Sequence, residues 1–176
     1  MARKTIFVTL CFLLLIVNGC ARSSRPAYSP PGGEFSFVPP ENWVMREMPG
    51  FKYQFAFGPA TNQNFSPNIN FVDQSAPVKL DEYVTGNLQV LQQMATNEGR
   101  SLKILTQGEF TTDHKRSGVR VVTDTAYEGN PLRQTFYFFE GKDDIKFVVT
   151  CTGPNDESQG YDKMCDSSIR TFKPRD

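Results

Sequence analysis

The fold is decided by residues 102–151, which read LKILTQGEFTTDHKRSGVRVVTDTAYEGNPLRQTFYFFEGKDDIKFVVTC. Polar and apolar residues alternate through much of this stretch, and three short segments rich in Gly, Asp and Asn interrupt it. A period of two is typical of a strand with one buried face, and short Gly-containing connections are typical of antiparallel hairpins. The stretch therefore predicts four consecutive antiparallel strands, at Leu102–Phe110, Val119–Tyr127, Leu132–Glu140 and Ile145–Cys151.

Helices are predicted on both sides of this meander. Residues 80–98 form the long helix, because apolar residues recur there at helical spacing and Gly99 follows as a C-terminal stop. The second helix is predicted at Tyr161–Phe172. The buried stripe of the long helix is expected to contain Leu80, Val84, Leu88, Leu91 and Ala95, widened by Tyr83, Val90 and Met94.

Shorter strands are predicted before the long helix, at Phe35–Val38 and Asn68–Val72. Between them, four aromatic residues alternate with other residues: Phe51, Tyr53, Phe55 and Phe57. They predict a strand with an aromatic face, which could line a groove; we favour burial of that face against the long helix. The fold class is α+β, with a mainly antiparallel β-sheet sandwiched by a long helix and a C-terminal helix.

The N-terminus has the pattern of a secretory signal, with Arg3 and Lys4 before an apolar run. The run ends in Val17-Asn18-Gly19-Cys20, which resembles the lipobox of bacterial lipoproteins. The resemblance implies a signal peptide at residues 1–19, cleavage after Gly19 and lipidation of Cys20. The alternative is an ordinary secretory signal in which Cys20 stands by chance. Ala21, where Asp would favour retention at the inner membrane, favours the outer membrane facing the periplasm if the source is Gram-negative.

The remaining chain is predicted to contain one domain. Pro, Ser and Gly dominate residues 20–33, which predicts a flexible tether, and residues 34–173 form a single α+β domain. The precursor has 19 basic and 19 acidic residues, and removal of Arg3 and Lys4 gives a net charge of 17 − 19 = −2. We expect no nucleic-acid partner, because such a partner requires a basic excess.

Two cysteines remain besides Cys11 in the signal and Cys20. Cys151 and Cys165 form an even pair in an oxidising compartment. The alternatives are a metal site, which would need more ligands, and two free thiols. Strand alternation places Cys151 on the core face, and helical periodicity places Cys165 on the side that covers it. We therefore expect a disulfide that closes a loop of about 15 residues.

The sequence contains no recognisable catalytic, phosphate-binding or metal-binding motif, so we expect no enzyme activity, catalytic residue, metal or cofactor. The lone His114 lies in a predicted turn, where a solvated role is favoured over a catalytic one. Asp81 and Glu82 suit the positive end of a helix dipole better than a metal. Asp143 and Asp144 are interpreted as turn formers rather than Ca²⁺ ligands.

The segment Phe35-Ser36-Phe37-Val38-Pro39-Pro40-Glu41-Asn42-Trp43 resembles the opening of the PsbP-like superfamily, an apolar strand followed by Pro and then Trp. The hairpin Tyr137–Lys142 and the ending Ile169–Phe172 are similar as well, so the resemblance covers residues 34–173. The superfamily includes extrinsic photosystem II subunits and DcrB-like bacterial lipoproteins. The resemblance implies an antiparallel sheet between helices. It does not imply an enzymatic reaction, because members of the superfamily share no catalytic residues.

Three functions remain as hypotheses. The first is a membrane-anchored lipoprotein that acts as a non-catalytic interaction or assembly module at the cell envelope, with a protein partner there. The second is a lipoprotein that binds a small apolar ligand, for which the sequence identifies no ligand-binding residue. The third is a hydrolase whose motif is not recognisable. A deep pocket with converging polar groups would favour the second, and a closed core with a flat surface would favour the first.

Overall fold

The computed structural model describes residues 25–61, 65–127, 129–156 and 160–175. The predicted signal peptide at residues 1–19 and the lipidation site Cys20 therefore lie outside the described residues. The helices are α1 (Leu80–Asn97) and α2 (Tyr161–Arg170). The strands are β1 (Phe35–Ser36), β2 (Val44–Arg46), β3 (Phe55–Phe57), β4 (Asn68–Ser75), β5 (Lys103–Thr111), β6 (Ser117–Tyr127), β7 (Asn130–Glu140), β8 (Ile145–Pro154) and β9 (Lys173–Pro174).

Seven strands form one antiparallel sheet in the order β2-β3-β4-β8-β7-β6-β5. Strands β5 to β8 are neighbours in chain order, which confirms the predicted meander. Asp143 and Asp144 both have positive φ, at 53° and 60°, and connect β7 to β8 in the tight turn that hairpins favour. The α+β class with a large antiparallel sheet is confirmed, and β1 and β9 pair separately.

Each helix packs against its own set of sheet side chains. Phe136 and Phe138 of β7 belong to the core that contains Val84 and Leu88 of α1. The intervening residue, Tyr137, belongs to a second core, together with Cys165 and Ile169 of α2 and Cys151 of β8. Because successive strand side chains point to opposite faces, the two cores lie on opposite faces of the sheet.

The α2 core contains most of the buried aromatic residues. Phe35 of β1 stacks on Phe71 of β4 with 4.5 Å between ring centroids, and Phe172 stacks on Phe139 at 4.9 Å. All four rings are almost fully buried. Aromatic packing thus holds the strand before Pro39 and the end of α2 to the sheet. The Phe residues of the segment 35–38 therefore contribute to the fold through the α2 core.

The predicted buried stripe of α1 is wrong at two positions. Val84 and Leu88 are buried as expected, whereas Val90 and Met94 are 58% and 51% exposed. Both residues lie on the same side of the helix as Tyr83, seven and eleven positions earlier. Tyr83 is covered because its hydroxyl reaches Gln74 at the end of β4, at 3.0 Å, and the side chains farther along the helix lack this cover.

The aromatic run also differs from the prediction of one strand face buried against the long helix. Only Phe55–Phe57 is a strand, and Tyr53 in the preceding bend packs on Phe35 in the α2 core, at 5.0 Å between centroids. Phe51 is 51% exposed and packs edge-on against Phe55. The core that contains the α1 side chains includes none of these residues. The sequence alternates with a period of two from Phe51 to Phe57, but residues 52 and 53 lie in a bend. In a bend, alternation along the sequence does not determine the side to which a side chain points.

Residues 25–33 are attached to the domain, although the composition predicted a tether through residue 33. The backbones of Tyr28 and Phe37 exchange two hydrogen bonds, at 2.8 and 3.1 Å, and the Tyr28 ring meets the Phe37 ring at 5.8 Å. The Arg25 guanidinium donates a hydrogen bond to the Pro39 carbonyl oxygen at 3.1 Å. Backbone pairing at Tyr28, its ring contact and the Arg25 hydrogen bond therefore hold a segment in which no hydrophobic period is visible.

Candidate functional site

The outward face of α1 is an uncharged surface. It contains nine exposed residues between Tyr83 and the C-terminus of the helix, and none of them carries a charge. They are Thr85, Gly86, Gln89, Val90, Gln92, Gln93, Met94, Thr96 and Asn97. A solvated helix face normally carries charged side chains, so an uncharged face with two exposed apolar residues is unusual. We refer to these nine residues as the α1 outer face.

A groove runs beside this face. Its volume is about 790 Å³, and it lies between the N-terminal half of α1 and the end of β4, with Gln74, Ala76 and Val78 on one side and Val90 on the other. It is open to solvent along its length. Its walls offer amide groups, apolar surface and, at the start of α1, the carboxylates of Asp81 and Glu82.

A cluster of charged residues lies on the side of β4 that faces away from α1. Lys52, from the loop before β3, forms ion pairs with Asp73 of β4 at 2.6 Å and with Glu34 at 3.4 Å. The hydrogen bond that the Lys52 ammonium donates to Asp73 holds the pKa of this ammonium above its usual range. The ammonium also lies 4.8 Å from the centre of the Tyr53 ring. Three segments distant in sequence thus meet around one cation.

Two polar atoms in this cluster are buried without a hydrogen-bond partner among the described residues, Glu34 Oε2 and the Tyr53 hydroxyl oxygen. Burial raises the pKa of Tyr53 to about 12. An adjacent groove of about 400 Å³ is lined by Glu34, Asp73, Lys142, Asp143, Ile145, Phe147 and Arg175. The volume suits a small molecule, and the mixture of charges suits a polar group of either sign.

A third groove is built on Trp43, one of the residues that carry the family resemblance. Trp43, Tyr161 and Met164 line a volume of about 520 Å³ between the loop after β3 and the start of α2. The Trp43 ring lies against Gly58, where a Cβ atom would come within 2.7 Å of it. This glycine therefore permits the position of the indole, and the groove has an aromatic wall.

Cys151 and Cys165 are both buried and belong to the same core, as predicted from strand and helix periodicity. Burial raises the pKa of the Cys151 thiol, and a hydrogen bond with Cys165 raises it further. Both cysteines have free thiols in the structure, so the disulfide between them remains a prediction.

The other residues considered from the sequence do not come together in a reactive arrangement. His114 is exposed in the turn between β5 and β6, and Asp81 and Glu82 are exposed in the first turn of α1. Among the described residues, no three His, Cys, Asp or Glu side chains are placed to bind a metal ion. Within the same ranges, no helix has the length and apolar character needed to cross a bilayer.

Sequence reasoning missed the charged cluster and the α1 outer face. The cluster depends on contacts between segments 18 to 21 positions apart, which a single sequence does not reveal. The α1 outer face did leave a signal, since residues 83–97 contain no charged residue. The prediction instead assigned Val90 and Met94 to the buried stripe because they are apolar, whereas the structure exposes both.

The fold is PsbP-like. The solution structure of cyanobacterial PsbP (CyanoP) from Synechocystis sp. PCC 6803 is similar with a TM-score of 0.65 at 10% identity, over 89% of this chain and 96% of that one. LpqN of Mycobacterium tuberculosis, described as involved in cell envelope biogenesis, is similar with a TM-score of 0.56 at 12% identity, over 79% and 82% of the two chains. The Ran-binding protein Mog1p of Saccharomyces cerevisiae has a TM-score of 0.56 at 11% identity, over 85% and 94%.

No family model and no curated protein matches the sequence. The identities to the solved structures are low, so the likeness establishes the fold and leaves the function to be argued from this chain's own residues.

Proposed function

We propose that this protein is a lipid-anchored bacterial lipoprotein that acts as a non-catalytic interaction or assembly module at the cell envelope. The fold is shared with a protein described as involved in cell envelope biogenesis, and with one described as Ran-binding. The lipobox-like segment ending in Cys20 supplies the means of attachment. Two or three acyl chains on one residue hold a protein stably at a membrane, because each buried CH₂ contributes about 0.8 kcal/mol.

The α1 outer face carries the proposal of an interaction role. Charged residues are depleted in the buried centre of protein interfaces and Met is enriched there, and this surface has both properties. Val90 and Met94 lie four positions apart, so they form one apolar ridge on a helix about 27 Å long. The partner expected here is an envelope protein with an apolar, uncharged contact surface.

A non-catalytic role is supported by the state of the most reactive-looking group. Lys52 is held by two carboxylates and its pKa is raised, so it stays protonated and is a poor base or nucleophile. The Tyr53 hydroxyl, with a pKa of about 12, is likewise protonated at neutral pH. The cluster is therefore suited to holding the loop before β3 in place.

Small-ligand binding is the second candidate. The observation that favours it is the 400 Å³ groove, in which Ile145 and Phe147 provide apolar surface beside Lys142 and Arg175. A purely apolar ligand fits this groove poorly because its five other lining residues are charged. An amphipathic ligand with one ionic group fits better.

The interaction role is tested by crosslinking in intact cells. A photoreactive amino acid at position 90 or 94 should give one discrete adduct, and the same residue at position 107 on β5 should not. Val90→Glu should abolish the adduct formed from position 94, because a charge would be buried in the contact. Gln107→Glu is the matched control, since it places the same charge on exposed β5, outside the α1 outer face, and should leave the adduct unchanged.

The outcomes separate the hypotheses. Adducts that persist in Val90→Glu, or that form equally from position 107, would reject α1 as the docking surface. An adduct at twice the mass of this chain would identify the partner as a second copy. The anchor is tested separately, because Cys20→Ser should abolish acylation and partitioning into detergent. Full partitioning of a cleaved Cys20→Ser protein would show that the anchor is elsewhere.

A further inference from the structure

We propose that the loop 47–51, at the β2 edge of the sheet, lies in the interfacial region of the bilayer when Cys20 is acylated. The proposal rests on the proposed lipid anchor and adds the face that the domain presents to the membrane. It follows from three observations: the short chain length between Cys20 and the first attached residues, the position of those residues, and the apolar side chains exposed beside them.

The length of chain limits how far the domain can stand from the membrane. Arg25 is already hydrogen-bonded to the Pro39 carbonyl, and Tyr28 is paired with Phe37. Arg25 is five residues after Cys20, which corresponds to about 18 Å at full extension. A tether through residue 33 would reach about 43 Å. The attachment of residues 25–33 therefore keeps this part of the domain close to the headgroups.

The segment around Tyr28 lies beside the loop that connects β2 to β3. Tyr28 and Pro31 line a groove of about 340 Å³ together with Met48, Pro49 and Phe51. Tyr28, in the attached segment, and this loop are thus neighbours. An orientation that turns the segment around Tyr28 toward the membrane also turns loop 47–51 toward it.

The loop has the side chains expected of a shallow membrane contact. Phe51 is 51% exposed, and Val44 on the neighbouring edge strand is 47% exposed. Pro49 and Gly50 at the tip are exposed and carry no charge. Single apolar side chains at a tip insert among headgroups at low cost, since the backbone there remains solvated.

The surrounding charges are compatible with an anionic membrane surface. Arg46 is exposed on β2 and lies over the Phe57 ring at 5.9 Å, and Arg25 lies at the start of the attached segment. Each cation near an anionic surface adds attraction, and a long side chain can reach the headgroups while its stem remains on apolar surface. Glu47 opposes this attraction with one negative charge.

The test measures depth in vesicles with the full mature lipoprotein. Phe51→Trp and Gln107→Trp variants, each retaining Trp43, are reconstituted into phosphatidylethanolamine–phosphatidylglycerol vesicles containing dibrominated acyl chains. Gln107 is the matched control because it is exposed on β5, at the opposite edge of the sheet. We expect the added tryptophan at position 51 to lose at least half of its emission relative to unbrominated vesicles, and the one at position 107 to lose none.

The experiment separates the lipid anchor from the membrane-facing loop. If the protein does not float with vesicles at all, the proposed lipid anchor is rejected, and the proposed function is rejected with it. If it floats and position 51 is quenched no more than position 107, the anchor stands and the membrane-facing loop is rejected. The vesicles contain no other protein, so quenching at position 51 cannot come from a partner. Equal melting temperatures of the variants and the parent establish that the folds are comparable.

Discussion

The Tyr137 hydroxyl donates a hydrogen bond of 2.5 Å to the Asp166 carboxylate, and this contact joins the centre of the sheet to α2. Tyr137 lies on β7 and is fully buried. The same carboxylate oxygen accepts a hydrogen bond from the Arg120 guanidinium of β6 at 2.7 Å. One residue of α2 is therefore held by two adjacent strands, and the helix is fixed in direction as well as in position.

Tyr137→Phe should destabilise the protein by about 1.5–3 kcal/mol, the usual contribution of a hydrogen bond to a charged group. The ring stays in place, so the loss comes from the hydroxyl alone. Denaturant unfolding followed by circular dichroism measures the free energy. Tyr161→Phe, in the first turn of the same helix, is the control and should change it by less than about 0.5 kcal/mol. A Tyr137→Phe protein as stable as the parent would show that Arg120 alone satisfies Asp166.

Tyr53→Phe should change the alkaline stability more than the stability at neutral pH. The pKa of Tyr53 is about 12 in the folded protein, above its usual 10.0. Tyr53 therefore keeps its proton between pH 10 and 12, where the unfolded chain releases it, and stability falls as pH rises through this range. Removing the hydroxyl removes this contribution, so the variant's stability should decline less steeply between pH 10 and 12.

Absorbance titration and unfolding curves at several pH values check the Tyr53 prediction. The titration should lose one tyrosine that ionises near pH 12. At pH 7 the two proteins should agree within about 1 kcal/mol, because the hydroxyl is buried without a partner among the described residues. An unchanged alkaline slope would mean that Tyr53 ionises as readily in the folded protein as in the unfolded chain.

Gly118→Ala should disturb the pairing of β6 with β7. A Cβ atom at this position would overlap the carbonyl oxygen of Phe138 and lie 2.5 Å from the Phe139 ring. Overpacking of this kind costs about 1–3 kcal/mol, measurable as a lower melting temperature. Gly108→Ala on β5 is the control, since its Cβ would meet nothing within 4 Å and alanine is conformationally the better strand residue. Equal melting temperatures for the two variants would contradict the prediction.

The meander was predictable because its information is local. Each strand from β5 to β8 combines a period of two with a turn that contains Gly or Asp, and both signals lie within a dozen residues. The long helix was predicted for the same reason, with its last residue displaced by only one position. Local periodicity was therefore sufficient to predict the long helix, the four strands of the meander and their order along the chain.

The failures concern contacts that periodicity does not encode. Tyr28 and Phe37 are nine positions apart, and their pairing attaches a Pro-rich segment that has no period of its own. Tyr53 turns away from its aromatic neighbours because it precedes the strand. Val90 has the spacing of the buried stripe and is nevertheless exposed. In each case tertiary packing decides the outcome, and these positions are the ones that form the candidate sites.

The last prediction concerns a disulfide between Cys151 and Cys165, which we propose for the mature protein. In forming it, the two thiols lose two protons and two electrons to an oxidised dithiol catalyst of the envelope, by thiol–disulfide exchange. Both residues are buried in one core, and burial raises the pKa of Cys151. The folded protein therefore supplies little reactive thiolate, so the bridge should form before α2 packs on the sheet.

The bridge would join Cys165 of α2 to β8. The next residue, Asp166, already joins α2 to β7 through its hydrogen bond with Tyr137. Reduction, or a Cys151→Ala and Cys165→Ala double variant, should lower the free energy of unfolding by about 2–4 kcal/mol. Hydrogen exchange should increase in α2 more than in β7 and β8, because the sheet keeps its own hydrogen bonds. Thiol labelling of unreduced, denatured protein purified from the envelope gives the direct measurement. It should find no reactive thiol at either position, and two labelled cysteines would rule the bridge out.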